Sequence, residues 1–430
     1  MGIEAILMIS IGALAAVMAN KSIAVFHDGL RPIMPEYMEG RMKKTELAAT
    51  SFAISIGLVI GFGIPVSLAG QVILLHSILL STDIIGTWAP EGRAGAITAA
   101  VVGGVYGYGL LRGLEFIVNI FESLPVNFVE DLGTVGDPII VAFAVFPILA
   151  TAFQYDVKKA VYNFFIVVFV RQLTIFITPL TLAGAEMNIN EDGMALAAGM
   201  IVLIYYAISE GKVETKEGEG MAGLFSKRVD RIKKYLPLFA ISGGLIGVAT
   251  VVPLLAGNPM SLELQAAGTF GDAGLTYIAR GLAFMPLVGA TAIATGVYTP
   301  AGMKFIHASA CFTYVASGSL ILAGIASAIT IVAEILLLGR IAVLLDSYPG
   351  IKNAGNNIRT AIVQVLEIAL LIGGAMAAQN IMSGFGIFAV VAIYFLNEQA
   401  DQPIKRMAVG PVAAISVGVI ANIFAIVGIL

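Results

Sequence analysis

The sequence predicts an all-α polytopic membrane protein of about 14 transmembrane helices, arranged as two inverted seven-helix repeats. Composition is the first observation: 58% of the 430 residues are hydrophobic and only 12% are charged, whereas soluble domains carry about 25% charged residues. The second is the placement of Lys and Arg, which fixes the number and orientation of the spans. The net charge of −4 is too small to indicate a nucleic-acid partner.

A helix that crosses the bilayer needs about 20 mostly apolar residues. Fourteen stretches are candidates by that criterion: approximately 4–25, 47–69, 71–88, 95–121, 138–155, 160–182, 193–209, 236–256, 276–298, 301–320, 323–345, 360–379, 381–397 and 408–429. The third stretch is short and contains Asp83. The N-terminal stretch lacks a basic region before it, so we expect a retained first span rather than a cleaved signal peptide.

The charged linker 211–234 sets the orientation, because its many Lys and Arg residues place it in the cytoplasm. Alternating sides from there puts all but three of the 24 Lys and Arg residues in cytoplasmic loops, while the outer loops carry acids. The exceptions are Arg112, Arg171 and Arg280. This pattern favours 14 spans with both termini outside.

Seven spans on each side of the linker predict three units: an N-terminal repeat 1–210, a cytoplasmic linker 211–235 and a C-terminal repeat 236–430. Because seven is odd, the two repeats would have opposite orientations, as in inverted-repeat secondary transporters. Within the fourth span, small residues four apart at Gly103/Gly107 and at Gly109/Gly113 predict close helix packing.

Other classes of chemistry lack their residues. One cysteine, Cys311, excludes an internal disulfide framework. The sequence has no phosphate-binding loop or HExxH motif, and three histidines make a metal site improbable. We therefore expect no cofactor, no metal and no enzymatic activity.

Charges inside the spans are the main functional candidates. Arg171 lies about 18 Å beyond Lys159 along a helix, and Arg280, Glu334 and Glu367 also fall within spans. Each buried charge costs about 2.5–3.5 kcal/mol, so it needs a partner or a water-filled cavity. In one interpretation the arginines pair with the glutamates. In the other, an arginine binds an anionic substrate and a glutamate couples transport to a proton.

Secondary candidates are Asp83, Gln154, Asn397 and Glu398, although a solvated surface role is equally compatible with the last two. Arg112 and Glu115 are expected to pair on one helix. Two proline-interrupted stretches, 146–156 and 284–307, are predicted to line the substrate site. Buried structural roles are expected for His76 and His307, while His27 and Asp28 could gate the site.

Several motifs carry a family resemblance: FHDGLRPIMPEYMEG, STDIIG, RGLAFMPL, ATGVYTPAG, NAGNNIR and AIYFLNEQADQPIKRMA. The chain resembles the YhfT family of bacterial inner-membrane proteins from its first span to its last. The resemblance implies a transport protein without an established substrate, and it brings no catalytic residues.

The sequence thus predicts a secondary transporter, such as a symporter, of a small polar, anionic metabolite. The expected partners are a small-molecule substrate, a coupling proton or sodium ion, and the lipid bilayer. The oligomeric state stays open, with a homodimer as one option. The alternatives are the membrane permease component of a phosphotransferase-type sugar uptake system and an intramembrane enzyme, for which we find no paired nucleophile and base.

Overall fold

A computed structural model describes residues 2–182, 185–187, 189–211 and 221–430. The fold is α-helical, and its strands are very short. Among the described residues, eight helices are long and apolar enough to cross a membrane, or up to ten if each of two bent helix pairs counts as one span. The chain is therefore a multi-pass membrane protein.

The described residues before the linker form ten helices. They are α1 (Ile3–Asn20), α2 (Met34–Met38), α3 (Lys44–Leu58), α4 (Ile64–Gly70), α5 (Leu75–Trp88), α6 (Gly92–Ser123), α7 (Val129–Gly133), α8 (Asp137–Gln154), α9 (Val157–Ile177) and α10 (Glu191–Ser209). A π-helical turn, Val59–Gly63, joins α3 to α4, and a 3₁₀ turn, Arg31–Ile33, precedes α2.

The described residues from 221 to 430 form nine helices, and the first of these helices lies within the predicted linker. They are α11 (Met221–Lys233), α12 (Leu236–Val251), α13 (Leu262–Ala266), α14 (Phe270–Thr295), α15 (Phe305–Ser317), α16 (Leu320–Ser347), α17 (Pro349–Ile381), α18 (Gly386–Gln399) and α19 (Arg406–Ile426). Residues 212–220 of that linker lie outside the described residues.

Six of the 14 predicted spans, including those that contain α12 and α14, are short, broken or bent helices in the described structure, so the count of 14 remains a prediction. The predicted span 47–69 is divided between α3, the π turn and α4. The helices α5, α15 and α18 have 13 or 14 residues, which reach about 20 Å at 1.5 Å per residue. A bilayer core is about 30 Å thick, so these helices cannot cross it without the extended segments beside them.

Two pairs of extended segments join the part of the chain before the linker to the part after it. Strand β1 (Ile73–Leu74) pairs in parallel with β4 (Leu255–Ala256), and Ala24 forms a parallel bridge with Tyr298. Another pair, β2 (Leu180–Leu182) and β3 (Ala185–Met187), forms a hairpin between α9 and α10. The two crossing pairs satisfy backbone groups where the neighbouring helices stop, which a buried backbone requires.

The crossing at Ala24 is also tied to the linker helix. Arg231 of α11 donates to the carbonyl of Gly296 at 2.6 Å and to that of Ser22 at 2.8 Å. These carbonyls belong to the last residues before each bridged segment. One side chain thereby holds both ends of the crossing, and the linker helix packs against α14 and α16.

Glycine lets α1 and α6 approach closely. A methyl group at Gly103 would overlap the carbonyl of Gly12, and one at Gly107 would overlap the carbonyl of Met8. The predicted close packing at Gly103/Gly107 is therefore confirmed. At Gly109 and Gly113 a methyl group would meet no atom of the described residues within 4 Å, so in that part of the chain the second predicted pair is not a packing contact.

Candidate functional site

A cavity of about 170 Å³ lies beside the crossing of the Ala24 and Tyr298 segments. Its lining draws on both parts of the chain, from the segment after α1 to the beginning of α19. Four cationic side chains line it: Arg31, Arg280, Lys304 and Arg359. Because a buried charge is expensive, four at one cavity indicate a site for something negative.

Two helices begin at this cavity. His76, the second residue of α5, lines it, and so does Lys304, which caps the N-terminus of α15. Helix N-termini carry partial positive charge and unsatisfied N–H groups. The helix ends therefore add to the positive potential that the cationic side chains create there.

Arg31 is the most completely buried of the four cations, with no exposed surface. Its guanidinium forms an ion pair with Asp28, one 3₁₀ turn earlier. The Nε and Nη1 atoms of Arg31 make no hydrogen bond to any described residue. A guanidinium has five N–H donors, so Asp28 leaves donors that a planar oxyanion could accept.

Two of the other cations lie on aromatic rings. The Arg280 guanidinium carbon is 4.3 Å from the centroid of the Phe284 ring, one turn further along α14. The Lys304 ammonium nitrogen is 4.8 Å from the centroid of the Phe26 ring and forms no hydrogen bond with the described residues. Cation–π contact offsets part of the cost of removing these charges from water.

Buried acids stand behind the cavity wall and hold its backbone. Asp83 accepts the N–H of Phe26 at 2.9 Å and that of His27 at 2.8 Å. Glu334 accepts the Tyr298 hydroxyl and the N–H of Met303, both at 2.8 Å. Neither acid is a lining residue, so both candidates act on the site through the segments that they fix.

The histidines near the cavity differ in their bonding. His27 Nδ1 accepts the N–H of Gly29 at 2.9 Å, and its Nε2 lies 3.1 Å from the carbonyl of Ile54, which assigns the proton to Nε2. Both nitrogens are thus engaged. His76 packs edge-on between the rings of Phe26 and Phe62, and its Nδ1 has no hydrogen-bond partner in the described part of the chain. His76 therefore keeps a ring nitrogen that the described residues leave unbonded, and its expected buried structural role stays a prediction.

Arg171 is placed away from this cavity. Its Nε lies 2.7 Å from Asp192, and its Nη2 lies 3.8 Å from Glu191, at the beginning of α10. Its side chain is one-third exposed. The partner of Arg171 is therefore neither Glu334 nor Glu367, because the two acids of the first turn of α10 pair with it.

Glu367 lines a neighbouring, more open cavity of about 240 Å³ together with Lys405 and Arg406. Leu58 and Met407 line both cavities and so separate them. The glutamate predicted as a substrate contact lies beside the candidate site rather than within it.

The remaining predicted candidates make structural contacts. Gln154 donates to the carbonyl of Gly350 at 2.9 Å and to Glu210 at 3.2 Å. Asn397 bonds the N–H and carbonyl of Ile404, each at 2.9 Å, which closes the loop between α18 and α19. Glu398 forms a surface ion pair with Arg406 at 2.7 Å.

The pairing of Arg112 with Glu115 is confirmed at 2.6 Å, and both side chains are exposed.

Sequence reasoning found Arg280 and missed three cations. It assigned Arg31, Lys304 and Arg359 to cytoplasmic loops or helix ends, whereas the structure brings them to the cavity. The stretch 284–307 does line the cavity, as predicted, but 146–156 does not. Pro32 and Pro35, which follow Arg31, and the Pro300–Gly302 turn before Lys304 were the available signals of a non-helical segment.

Fold and cavity define a multi-span membrane protein with a cationic internal site. The chain belongs to the YhfT family, which is described as "Protein of unknown function". The family model matches residues 4–430. It is 33% identical over 436 residues to "Uncharacterized protein YhfT" of Escherichia coli (strain K12), covering 98% of this chain and 97% of that protein. No solved structure matches the chain.

Proposed function

We propose that this protein is a secondary transporter that carries a small anion across the inner membrane. The observation that carries the proposal is the convergence of Arg31, Arg280, Lys304 and Arg359 on one internal cavity. A bundle that needed only stability would not retain four such charges, since apolar residues serve packing at no desolvation cost.

An inverted repeat is supported by matching element order on both sides of the linker. Each of α1 and α12 leads into an extended segment, at Ala24 and at β4. Each of α5 and α15 follows the extended segment that pairs with the other part of the chain. This reciprocal exchange is what a twofold axis in the membrane plane would generate.

The helix packing repeats in the same order. α1 packs against α6 as α12 packs against α16, and α8 packs against α17 across the proposed axis. With α3/α4 matched to the bent helix α14, seven segments on each side correspond, which supports 14 spans in two seven-helix repeats. Discontinuous helices whose N-termini point at a midplane site are a feature of such transporters.

Coupling to a proton is our proposal for the driving force, with Glu334 as the carrier. Its Oε1 atom is buried and makes no hydrogen bond to a described residue, whereas Oε2 holds Tyr298 and Met303. Protonation at Oε1 would change the charge beside Lys304, whose backbone follows Met303 directly. Substrate and proton would then bias the same segment, as coupling requires.

The test is ligand-induced thermal stabilisation of the purified protein across small carboxylates, phosphates, amino acids and sugars. Arg280→Gln removes a cavity charge, and Arg112→Gln is the matched control on an exposed helix face. We expect an anion to stabilise the native protein and the control variant but not Arg280→Gln. The stabilising compound should then accumulate in proteoliposomes, dependent on an imposed proton gradient.

Stabilisation by neutral sugars alone, or anion stabilisation that survives Arg280→Gln and Lys304→Gln together, would remove the basis of the proposal.

A further inference from the structure

Besides its cations, the cavity is lined mostly by apolar side chains. Leu58, Phe62 and Leu80 line it from the part before the linker. Leu287, Val288 and Ile362 line it from the part after the linker. An anion that enters this cavity therefore exchanges its surrounding water for both charged and apolar lining groups.

Hydrogen-bonding groups for anything besides an anionic head are scarce at this cavity. Asp28 is paired with Arg31, and both nitrogens of His27 are engaged by the backbone. Thr299 contributes one hydroxyl to the lining, and His76 contributes one ring nitrogen without a partner among the described residues. A hydroxylated body, such as that of a sugar acid, would lose its bonds to water here without replacing them.

Cavity volume limits the size of the occupant. The cavity measures about 170 Å³, and an engineered apolar cavity of about 150 Å³ binds one benzene molecule. A body of several carbons, up to one ring, with one compact charged group fits this volume. A bare inorganic oxyanion would leave the apolar wall without contacts.

We propose that the occupant is a small carboxylate with an unhydroxylated hydrocarbon body, its head at the cations and its body against the Leu58, Phe62 and Leu287 side chains. This inference rests on the proposed anion transport and narrows its substrate class. A carboxylate matches the planar donors of Arg31 and Arg280, and its two oxygens leave more of the cavity for the body than a phosphate would.

The experiment measures the affinity of the purified full-length protein for acetate, butanoate, hexanoate and benzoate by thermal shift at fixed pH and ionic strength. Hexanamide and benzamide are the neutral controls, and gluconate and inorganic phosphate are the polar anions. We expect each added methylene to tighten binding by about three- to fourfold until the cavity is full. The amides should give no shift.

A near-isosteric variant tests the contacts of the ligand's hydrocarbon body separately from those of its carboxylate head. Val363→Thr places a hydroxyl at a lining position with little change of volume, and Ile372→Thr is the control at a half-exposed position further along α17. We expect Val363→Thr to weaken hexanoate several-fold relative to acetate, with acetate unchanged. Arg280→Gln should weaken both acids equally.

Two outcomes would overturn the inference, and they differ in what they leave. If phosphate or gluconate binds at least as tightly as benzoate, and Arg280→Gln abolishes that binding, the substrate class is wrong while anion transport stands. If no anion shifts the melting temperature, both the substrate class and the proposed function fail.

Discussion

The Tyr298 hydroxyl donates to Glu334 at 2.8 Å, across 36 positions of sequence. Tyr298 is also the residue whose backbone bridges Ala24, just after α1. Glu334 on α16 thus holds the segment that contains Tyr298. Asp83 on α5 holds the segment that contains Ala24, through Phe26 and His27. Lys304 and Arg31 follow these segments, so the two acids help to fix the positions of both cations.

Removing the Tyr298 hydroxyl should cost stability. Tyr298→Phe leaves a buried acceptor with one donor fewer, which we expect to lower the free energy of unfolding by about 1–3 kcal/mol. Tyr162→Phe, on a half-exposed ring, is the control and should change it by less than about 0.5 kcal/mol. Both are measured as thermal unfolding in one detergent. Equal stabilities would mean that the hydroxyl does not hold the segment.

Asp83→Asn should destabilise the protein more than a surface substitution of the same kind. An amide has one oxygen where the carboxylate has two, so with that oxygen in the place of Oδ2 its NH₂ group would face the N–H of Phe26. We expect a loss of about 2–3 kcal/mol, together with weaker anion binding because Arg31 follows this segment. Asp230→Asn, at an exposed carboxylate, is the control. A stable Asp83→Asn protein with unchanged binding would contradict the anchoring role.

Sequence reasoning succeeded where a property is carried along one helix. It located the apolar helices, the Arg112–Glu115 pair and the cavity-facing stretch that begins after Arg280. It failed where position depends on distant parts of the chain. The positive-inside rule assigns a charge by its neighbours in sequence, so it could not detect that Arg31 and Lys304 follow segments that pair with each other inside the bundle. Arg171 was misjudged because Asp192 reaches it through a turn in the chain.

Two glycines of α6 make a matched test of helix packing. Gly107→Ala inserts a methyl group where the Met8 carbonyl of α1 lies, and overpacking should cost about 1–3 kcal/mol. Gly109→Ala meets open space and should gain roughly 0.5–1 kcal/mol, because alanine loses less conformational entropy in a helix. Thermal unfolding should therefore shift in opposite directions for the two variants. A shift of the same sign and size would show that α1 does not contact α6 at this glycine.

Comparison of Arg171→Gln with Arg280→Gln should distinguish an arginine that stabilises the fold from one that binds the anion. The Arg171 side chain is one-third exposed and that of Asp192 is 9% exposed, so we expect the loss of their ion pair to cost about 1 kcal/mol, the upper end for a surface pair. The thermal shift produced by a binding anion should stay at its native size, in contrast to Arg280→Gln. A lost anion response in a folded Arg171→Gln protein would place this arginine on the substrate path after all.

Access to the cavity should come from the cytoplasmic side past Met407. This residue lines both the cationic cavity and the wider one that contains Lys405 and Arg406, and the positive-inside rule places those charges in the cytoplasm. The single cysteine, Cys311, is buried, so Cys311→Ala gives a background for labelling. Met407→Cys should react with a membrane-impermeant maleimide in inside-out vesicles and not in right-side-out vesicles. Ser123→Cys, in a predicted outer loop, should show the opposite preference. Benzoate should slow the labelling of Met407→Cys alone, because an occupied cavity leaves the reagent no space beside Leu58. Labelling of Met407→Cys from the outer side would reverse the assigned topology of α19 and place the entrance at the other face of the membrane.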